Sequence, residues 1–175
     1  ATQAVNHSIG VMTAKDDAAQ MSQGAGMTFR NNIEWLAGNY NEARMGSSIF
    51  SYLMGYEDPR LNVYFLPMDG NASYGVEAFN GKTYQAVPAG HANAQNDIYK
   101  SCSKPNIQSG TPTYWLRASE VYFLRAEAAL VWEGFGSADS WYKQGIDMSF
   151  QENGVTEPVD DYMNSNLSPR AYVLS

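Results

Sequence analysis

Residues 115–150, WLRASEVYFLRAEAALVWEGFGSADSWYKQGIDMSF, predict two helices joined by a glycine turn. In the first helix, apolar residues recur at i, i+3, i+7 and i+10, which places them on one stripe that we expect to be buried. These residues are Val121, Leu124, Ala128 and Val131. Glycine tolerates left-handed dihedral angles, so Gly134 and Gly136 should end this helix, and the Ser137 hydroxyl should cap the next. The segment therefore predicts an antiparallel helical hairpin.

The second helix places apolar and small residues on one face at i, i+3, i+4, i+7, i+8 and i+11. They are Ala138, Trp141, Tyr142, Gly145, Ile146 and Ser149. Together with Ala126, the residues Ala138, Tyr142 and Gly145 fall where a tetratricopeptide unit of ~34 residues has small, small, aromatic and small side chains. Small residues of this kind allow two helices to approach closely. An ordinary helical hairpin explains the same spacing equally well.

Two sequence blocks carry a resemblance to a known family. The run LRASEVYFLRAEAAL (116–130), followed after a glycine turn by WYKQGIDMSF (141–150), resembles the signature of the SusD/RagB family of bacterial outer-membrane nutrient-binding lipoproteins. The block RMGSSIFSYLMGYEDPRL (44–61) is similar to a second stretch of that family, in the expected order and at about the expected separation. The resemblance extends from about residue 31 to residue 150, and residues 66–112 match only in being long and irregular.

The resemblance implies a mainly α fold in which tetratricopeptide-like helical hairpins support a long irregular loop region. We accordingly expect one partial SusD-like domain over residues 1–175, with the loop region at 67–112 and the hairpin at 113–150. Family members are considerably longer, so we expect this chain to be a piece from the C-terminal part of a longer protein. No run approaches the ~20 apolar residues needed to span a bilayer. Any membrane association is therefore expected through an anchor missing from this chain or through a partner.

Charge and cysteine content exclude several classes of protein. The formal net charge of −7 argues against a nucleic-acid partner, which requires a basic surface. The single cysteine, Cys102, excludes a disulfide within the chain. His7 and His91 have no second histidine or cysteine at ligand spacing, so no metal ion and no cofactor are predicted. The sequence contains no nucleophile motif or phosphate loop, and we predict no catalytic residues and no enzymatic activity.

Outside the hairpin, the helical signals are shorter. Residues 16–22 and 32–36 predict two short helices. Ser47 is expected to cap a better helix, in which Ile49, Phe50, Leu53 and Met54 form one face and Gly55 is the last residue. Asp58-Pro59 should end it, because proline cannot continue a helix. We expect Arg60 to pair with a carboxylate, and the alternation of Leu61, Val63 and Phe65 to indicate an extended segment.

Residues 67–112 show neither a helical nor a strand period, and such long irregular connections are often binding loops. Aromatic residues alternate there with amides and hydroxyls, a composition typical of carbohydrate sites, where ring faces stack and amides bond to paired hydroxyls. The predicted ligand-binding residues are Tyr74, Phe79, Asn80, Tyr84 and Tyr99. Tyr74 and Tyr84 are the first choices because small neighbours leave a ring face uncovered. The alternative is an irregular loop packed by its own tyrosines.

The resemblance implies that the protein binds an oligosaccharide or another nutrient oligomer on the outer face of the outer membrane and delivers it to a SusC-like TonB-dependent transporter. Two alternatives stay open. Stacked helical hairpins also offer grooves for peptides, which favours a peptide- or protein-binding module. A glycoside hydrolase would need two carboxylates ~5 to 9 Å apart across a cleft, an arrangement that no pattern in the sequence indicates.

Overall fold

The computed structural model describes residues 2–23, 29–70, 76–90 and 99–169. Its helices are α1 (Thr2–Val5), α2 (Asn32–Gly38), α3 (Ser47–Gly55), α4 (Leu61–Tyr64), α5 (Ala118–Val131), α6 (Ala138–Asn153) and α7 (Val159–Asn164). Its strands are β1 (Ala19–Met21), β2 (Glu77–Phe79), β3 (Lys82–Tyr84) and β4 (Thr113–Leu116), and a 3₁₀ turn covers Lys15–Asp17. The mainly α fold class is therefore confirmed. A 3₁₀ turn and a short strand replace the helix predicted at 16–22.

The chain forms two compact units. Unit 1 combines Ala1–Met21 with Thr113–Ser175, and unit 2 is the continuous segment Ser22–Pro112. In unit 1, β1 pairs antiparallel with β4, and the α5–α6 hairpin is the largest element. Unit 2 holds α2, α3, α4 and a second antiparallel pair, β2–β3. The prediction of one domain over residues 1–175 stays a prediction.

The α5–α6 hairpin has the predicted limits. Gly134 and Gly136 both adopt φ +86° in the turn, and the Ser137 hydroxyl accepts a hydrogen bond from the Ser140 backbone N–H at 3.3 Å. The helix α6 ends at a left-handed Gly154, where the Val155 N–H reaches back to the Phe150 carbonyl at 3.0 Å. Both turns follow from glycine, because a side chain in the left-handed region costs free energy.

The two helices approach closely at Gly145. A β-carbon at this position would lie 2.6 Å from Cε1 of Phe123, well inside van der Waals contact. Ala126 is buried on α5, as are Ile146 and Ser149 on α6. The prediction that small residues allow this close approach is confirmed at Gly145.

The predicted buried stripe of α5 is wrong in part. Ala128 is buried, but Leu124 is 59 % exposed and Val131 is 61 % exposed. The small residues Ala118, Ser119 and Ala126 are buried instead. The helix turns its small residues inward, which brings its backbone closer to α6 than leucine or valine side chains would permit. Of its larger aliphatic residues, Val121 and Leu124 line a groove.

A buried carboxylate joins the start of α5 to the end of α6. Oε1 of Glu152 accepts from the Ser119 backbone N–H at 3.1 Å, and Oε2 accepts from the Ser119 hydroxyl at 2.6 Å. The Arg117 guanidinium lies 3.9 Å from the same carboxylate. These bonds satisfy an N-terminal N–H of α5 and the buried Glu152 side chain together.

The hydrophobic core of unit 2 lies between α3, α4 and the β2–β3 hairpin. Its buried members are Met45, Leu53, Leu61, Phe79, Tyr84 and Ala86, with Phe50, Met54, Tyr64 and Phe65 packed against them. Phe79 and Tyr84 are the buried residues of their strands. The hairpin therefore contributes its aromatic side chains to the core.

The segment predicted to be extended after Pro59 begins as helix α4. Asp58 initiates it, because its carboxylate accepts from the Arg60 backbone N–H at 3.0 Å and its carbonyl accepts from the Leu61 N–H at 3.1 Å. The Arg60 side chain also binds this carboxylate, with Nε 2.9 Å from Oδ1, so the predicted ion pair of Arg60 is confirmed. Leu61 and Phe65 are four residues apart, a spacing that fits a helix as well as a strand.

Two further predictions, one about the start of α3 and one about residues 67–112, are wrong in part. Gly46, not Ser47, precedes the helix, and the Ser47 hydroxyl accepts from the backbone N–H of Ala89 at 2.9 Å. The β2–β3 hairpin lies within residues 67–112, where no strand period was found. Three-residue strands are too short to show alternation, which explains why the pattern was missed.

Candidate functional site

Two of the predicted ligand-binding residues lie in the core of unit 2. Tyr84 is fully buried, with 0 % of its surface exposed, and Phe79 is also buried. The Tyr84 hydroxyl donates to Oδ1 of Asn62 at 2.5 Å, and burial raises the pKa of this phenol above its ordinary value. A ring without an open face cannot stack on a sugar, so these residues follow the packing alternative rather than the binding one.

Asn80 occupies the turn of the β2–β3 hairpin. Asn80 has φ +48° and Gly81 has φ +74°, the left-handed pair that a two-residue hairpin of type I′ requires. Asn-Gly is the favoured sequence for this turn, so the backbone explains why these residues stand here. Asn80 is exposed, and contact of its side chain with a ligand stays a prediction.

Tyr99 is half-buried and follows a segment outside the described residues. Its carbonyl accepts from Nε of Arg44 at 3.1 Å, and the Lys100 carbonyl accepts from Nη2 at 3.0 Å. Burial lowers the pKa of the Arg44 guanidinium from its usual value. Arg44 thereby fixes the backbone at Tyr99, whose role in binding stays a prediction. The fifth residue, Tyr74, lies outside the described residues.

The predicted residues therefore do not form one exposed group within the described part of the chain. Phe79 and Tyr84 face the core, and Asn80 is committed to a turn. An exposed aromatic pair lies elsewhere in unit 2, at Trp35 and Tyr40, where the sequence analysis predicted only a short helix. In the sequence this pair shows only as a Trp and a Tyr five residues apart in a segment with Asn and Gly, a pattern that does not by itself indicate an exposed ring contact.

Unit 1 contains an open groove beside the exposed face of α5. It has a volume of about 430 Å³. The groove is lined by Ala4, Val5, Val11, Val121, Leu124, Ala128, Trp132 and Phe135, with Arg125 and Glu127. Its surface is predominantly apolar, so it suits apolar side chains better than sugar hydroxyls. Among the described residues there is no group of three or more His, Cys, Asp or Glu that could hold a metal ion.

A family model described as Susd and RagB outer membrane lipoprotein matches residues 1–175, which is the whole chain. The chain belongs to the SusD-like family. None of the curated proteins matches it. In the described part of this SusD-like chain, no helix combines the length and apolar character needed to cross a membrane.

Solved structures of SusD homologues agree with this assignment. A homologue from Bacteroides vulgatus ATCC 8482 is 33% identical, with a TM-score of 0.78 over 94% of this chain and 32% of its own. A homologue from Bacteroides thetaiotaomicron VPI-5482 is 31% identical, with a TM-score of 0.74 over 90% of this chain and 31% of its own. A chitin-binding SusD homologue from Flavobacterium johnsoniae is 29% identical, with a TM-score of 0.79 over 94% and 32%. The SusD-like chain thus spans about a third of the length of these relatives.

Proposed function

We propose that this protein captures glycan nutrients at the outer face of the outer membrane, without breaking them down. The observation that carries the proposal is the SusD-like family match over residues 1–175. The similarity to a chitin-binding homologue supports a carbohydrate as the ligand class. Since the chain spans about a third of the relatives' length, the proposal concerns the whole protein to which this sequence belongs.

The proposed partner is a SusC-like TonB-dependent transporter, which would receive the glycan and import it. Attachment to the membrane is proposed to occur through a lipid anchor of the full-length protein, as the family description implies. The negative net charge of −7 suits a neutral glycan better than a polyanionic one, because like charges repel at long range. Tyr99, Asn80 and Tyr74 remain proposed ligand contacts.

A second candidate function is peptide binding. The apolar groove along α5, with Leu124 and Trp132 exposed at its edge, favours it. Helical hairpins bind apolar side chains of peptides in such grooves. We rank this function second because the groove has few polar groups to fix a peptide backbone.

The test is calorimetric titration of the protein with chitohexaose, cellohexaose and maltohexaose, alongside an apolar helical peptide. We expect one of the neutral oligosaccharides to bind with modest affinity, since a shallow sugar site gains only from stacking and a few hydrogen bonds. A reducing-end assay on the same mixtures should detect no cleavage. Binding of the peptide alone would favour the second function. Release of reducing ends that disappears on mutation of one Asp or Glu would contradict a pure binding protein.

A further inference from the structure

Trp35 and Tyr40 lie toward the C-terminal end of helix α2, and we call this pair the aromatic corner. The rings of Trp35 and Tyr40 contact edge to face, with centroids 4.4 Å apart and planes at 80°. Trp35 is 38 % exposed and Tyr40 is 54 % exposed. Edge-to-face packing uses the edge of one ring and a face of the other, so ring surface stays open to solvent.

The backbone holds this corner in place. The Trp35 carbonyl accepts from the N–H groups of Asn39 at 3.0 Å and Tyr40 at 3.2 Å. At the other end of α2, the buried Asn31 caps the helix through the Ile33 N–H at 3.0 Å, and its Nδ2 donates to the Thr111 carbonyl at 3.1 Å. The start of this short helix is therefore tied to a distant segment of unit 2, and its end is closed by its own backbone hydrogen bonds. The two rings are presented with little conformational freedom to lose on binding.

A network of polar side chains runs along α2, from Arg30 to Asn39. Nε of Arg30 donates to Oε2 of Glu34 at 2.8 Å, and its Nη2 donates to Oδ1 of Asn39 at 3.1 Å. Asn39 is four residues after Trp35, so it lies on the same side of the helix. A guanidinium, a carboxylate and an amide in one network supply both donors and acceptors, as paired sugar hydroxyls require. The charges of Arg30 and Glu34 cancel, which matches a neutral ligand.

We propose that Trp35 and Tyr40 form a stacking platform for the pyranose rings of a neutral glycan, with Arg30, Glu34 and Asn39 as its polar rim. This inference rests on the proposed function and names the surface that performs it. The axial C–H groups of a pyranose ring stack on an indole face, while its equatorial hydroxyls point to the rim. A purely apolar partner would leave the rim groups desolvated without new hydrogen bonds, which costs free energy.

The mutational test compares Trp35→Ala with Trp115→Ala in the full protein. Trp115 is 71 % exposed and belongs to unit 1, so it is a matched control for the loss of an exposed indole. We expect Trp35→Ala to weaken binding of the oligosaccharide that the wild type binds by about 3- to 10-fold, from the usual strength of aromatic contacts. Trp35→Phe should recover part of that loss, and Trp115→Ala should bind like the wild type.

A second readout keeps the proposal testable if Trp35→Ala does not fold. Residues 1–175 contain four tryptophans, so labelling with 5-fluorotryptophan gives four ¹⁹F resonances from this part of the protein, and the resonance that is lost from the spectrum of Trp35→Phe is that of Trp35. Added oligosaccharide should shift the Trp35 resonance and leave that of Trp115 unchanged. Three results would contradict the stacking platform but not the proposed function. They are wild-type affinity in Trp35→Ala, an equal loss of affinity in Trp115→Ala, and an unshifted Trp35 resonance in a protein that binds glycan. A wild type that binds none of the three oligosaccharides would overturn the proposed function and the platform with it.

Discussion

At the scale of single residues, Tyr84 shows how burial changes the role of a side chain. Small residues near it in the sequence suggested an uncovered ring face, yet the ring is completely enclosed by the core of unit 2. The hydroxyl is satisfied by Asn62, as a buried phenol requires. Because burial penalises the phenolate, the folded protein holds the pKa of Tyr84 above the usual value of about 10.

This raised pKa predicts a loss of stability in alkali. The unfolded chain releases the Tyr84 proton at about pH 10, whereas the folded protein retains it to higher pH, so the contribution of the neutral phenol is complete below pH ~10 and declines above it. Tyr84→Phe should lower the free energy of unfolding at pH 8 by about 1 kcal/mol, through loss of the Asn62 hydrogen bond. Urea unfolding at pH 8 to 11 should show the gap between wild type and variant narrowing above pH 10.

The exposed Tyr52 supplies the control for this experiment. Tyr52→Phe should change stability by less than about 0.5 kcal/mol and should leave its pH dependence as in the wild type. A constant gap between Tyr84→Phe and the wild type over the whole range would contradict the burial of the Tyr84 phenol.

At the scale of elements, the α5–α6 hairpin is organised by close backbone approach. Gly145 is covered by the Phe123 ring, and Phe123 and Tyr142 are in ring contact with centroids 5.8 Å apart. The larger aliphatic residues of α5 lie outside this interface. A contact of this kind is sensitive to one added methyl group on α6 and insensitive to truncation on the exposed side of α5.

Gly145→Ala therefore tests the hairpin by the sign of its effect. In an exposed helix, Gly→Ala stabilises by about 1 kcal/mol through helix propensity. Here the new methyl group would collide with Phe123, so we expect destabilisation of roughly 1 to 3 kcal/mol in thermal or chemical unfolding. Gly145→Leu should be worse for the same reason.

Two further variants identify the cause. Combining Gly145→Ala with Phe123→Leu should cost less than the sum of the single changes, because the smaller side chain relieves the collision. Leu124→Ala, on the exposed side of α5, should cost less than about 0.5 kcal/mol. A stabilised Gly145→Ala protein would show that Gly145 does not face Phe123.

At the scale of the whole molecule, unit 2 is one continuous segment with its own hydrophobic core, whereas unit 1 joins two distant parts of the chain. Backbone hydrogen bonds link its irregular parts internally: the Met45 N–H donates to the Ser103 carbonyl at 2.8 Å, and the Ser103 N–H donates to the Gln85 carbonyl at 2.9 Å. Segments that are distant in sequence thus support one another within unit 2. A segment of this size can bury enough apolar surface to fold by itself.

We therefore expect residues 22–112, expressed alone, to unfold cooperatively when followed by circular dichroism. Leu61→Ala should destabilise this fragment by about 2 to 5 kcal/mol, because Leu61 is fully buried in its core. Leu66→Ala, at an exposed leucine, is the control and should have little effect. A fragment without a cooperative transition would instead support a single folding unit over residues 1–175.

The sequence by itself determined the elements whose information is local. The glycines and Ser137 fixed the limits of the α5–α6 hairpin, because caps depend on a few neighbouring residues. The sequence blocks at 44–61, 116–130 and 141–150 indicated the family, and the family match over residues 1–175 confirmed it.

Only the tertiary structure decided which faces are buried. Leu124 was expected to be buried and is exposed, whereas Tyr84 was expected to be exposed and is buried. Apolar periodicity identifies a stripe on a helix but not the element that packs against it. It also decided the placement of Trp35 and Tyr40, whose ring contact and exposure depend on how the Asn31 cap and the end of α2 orient two side chains. Burial arises from contacts between distant segments, and a single sequence without those contacts does not specify it.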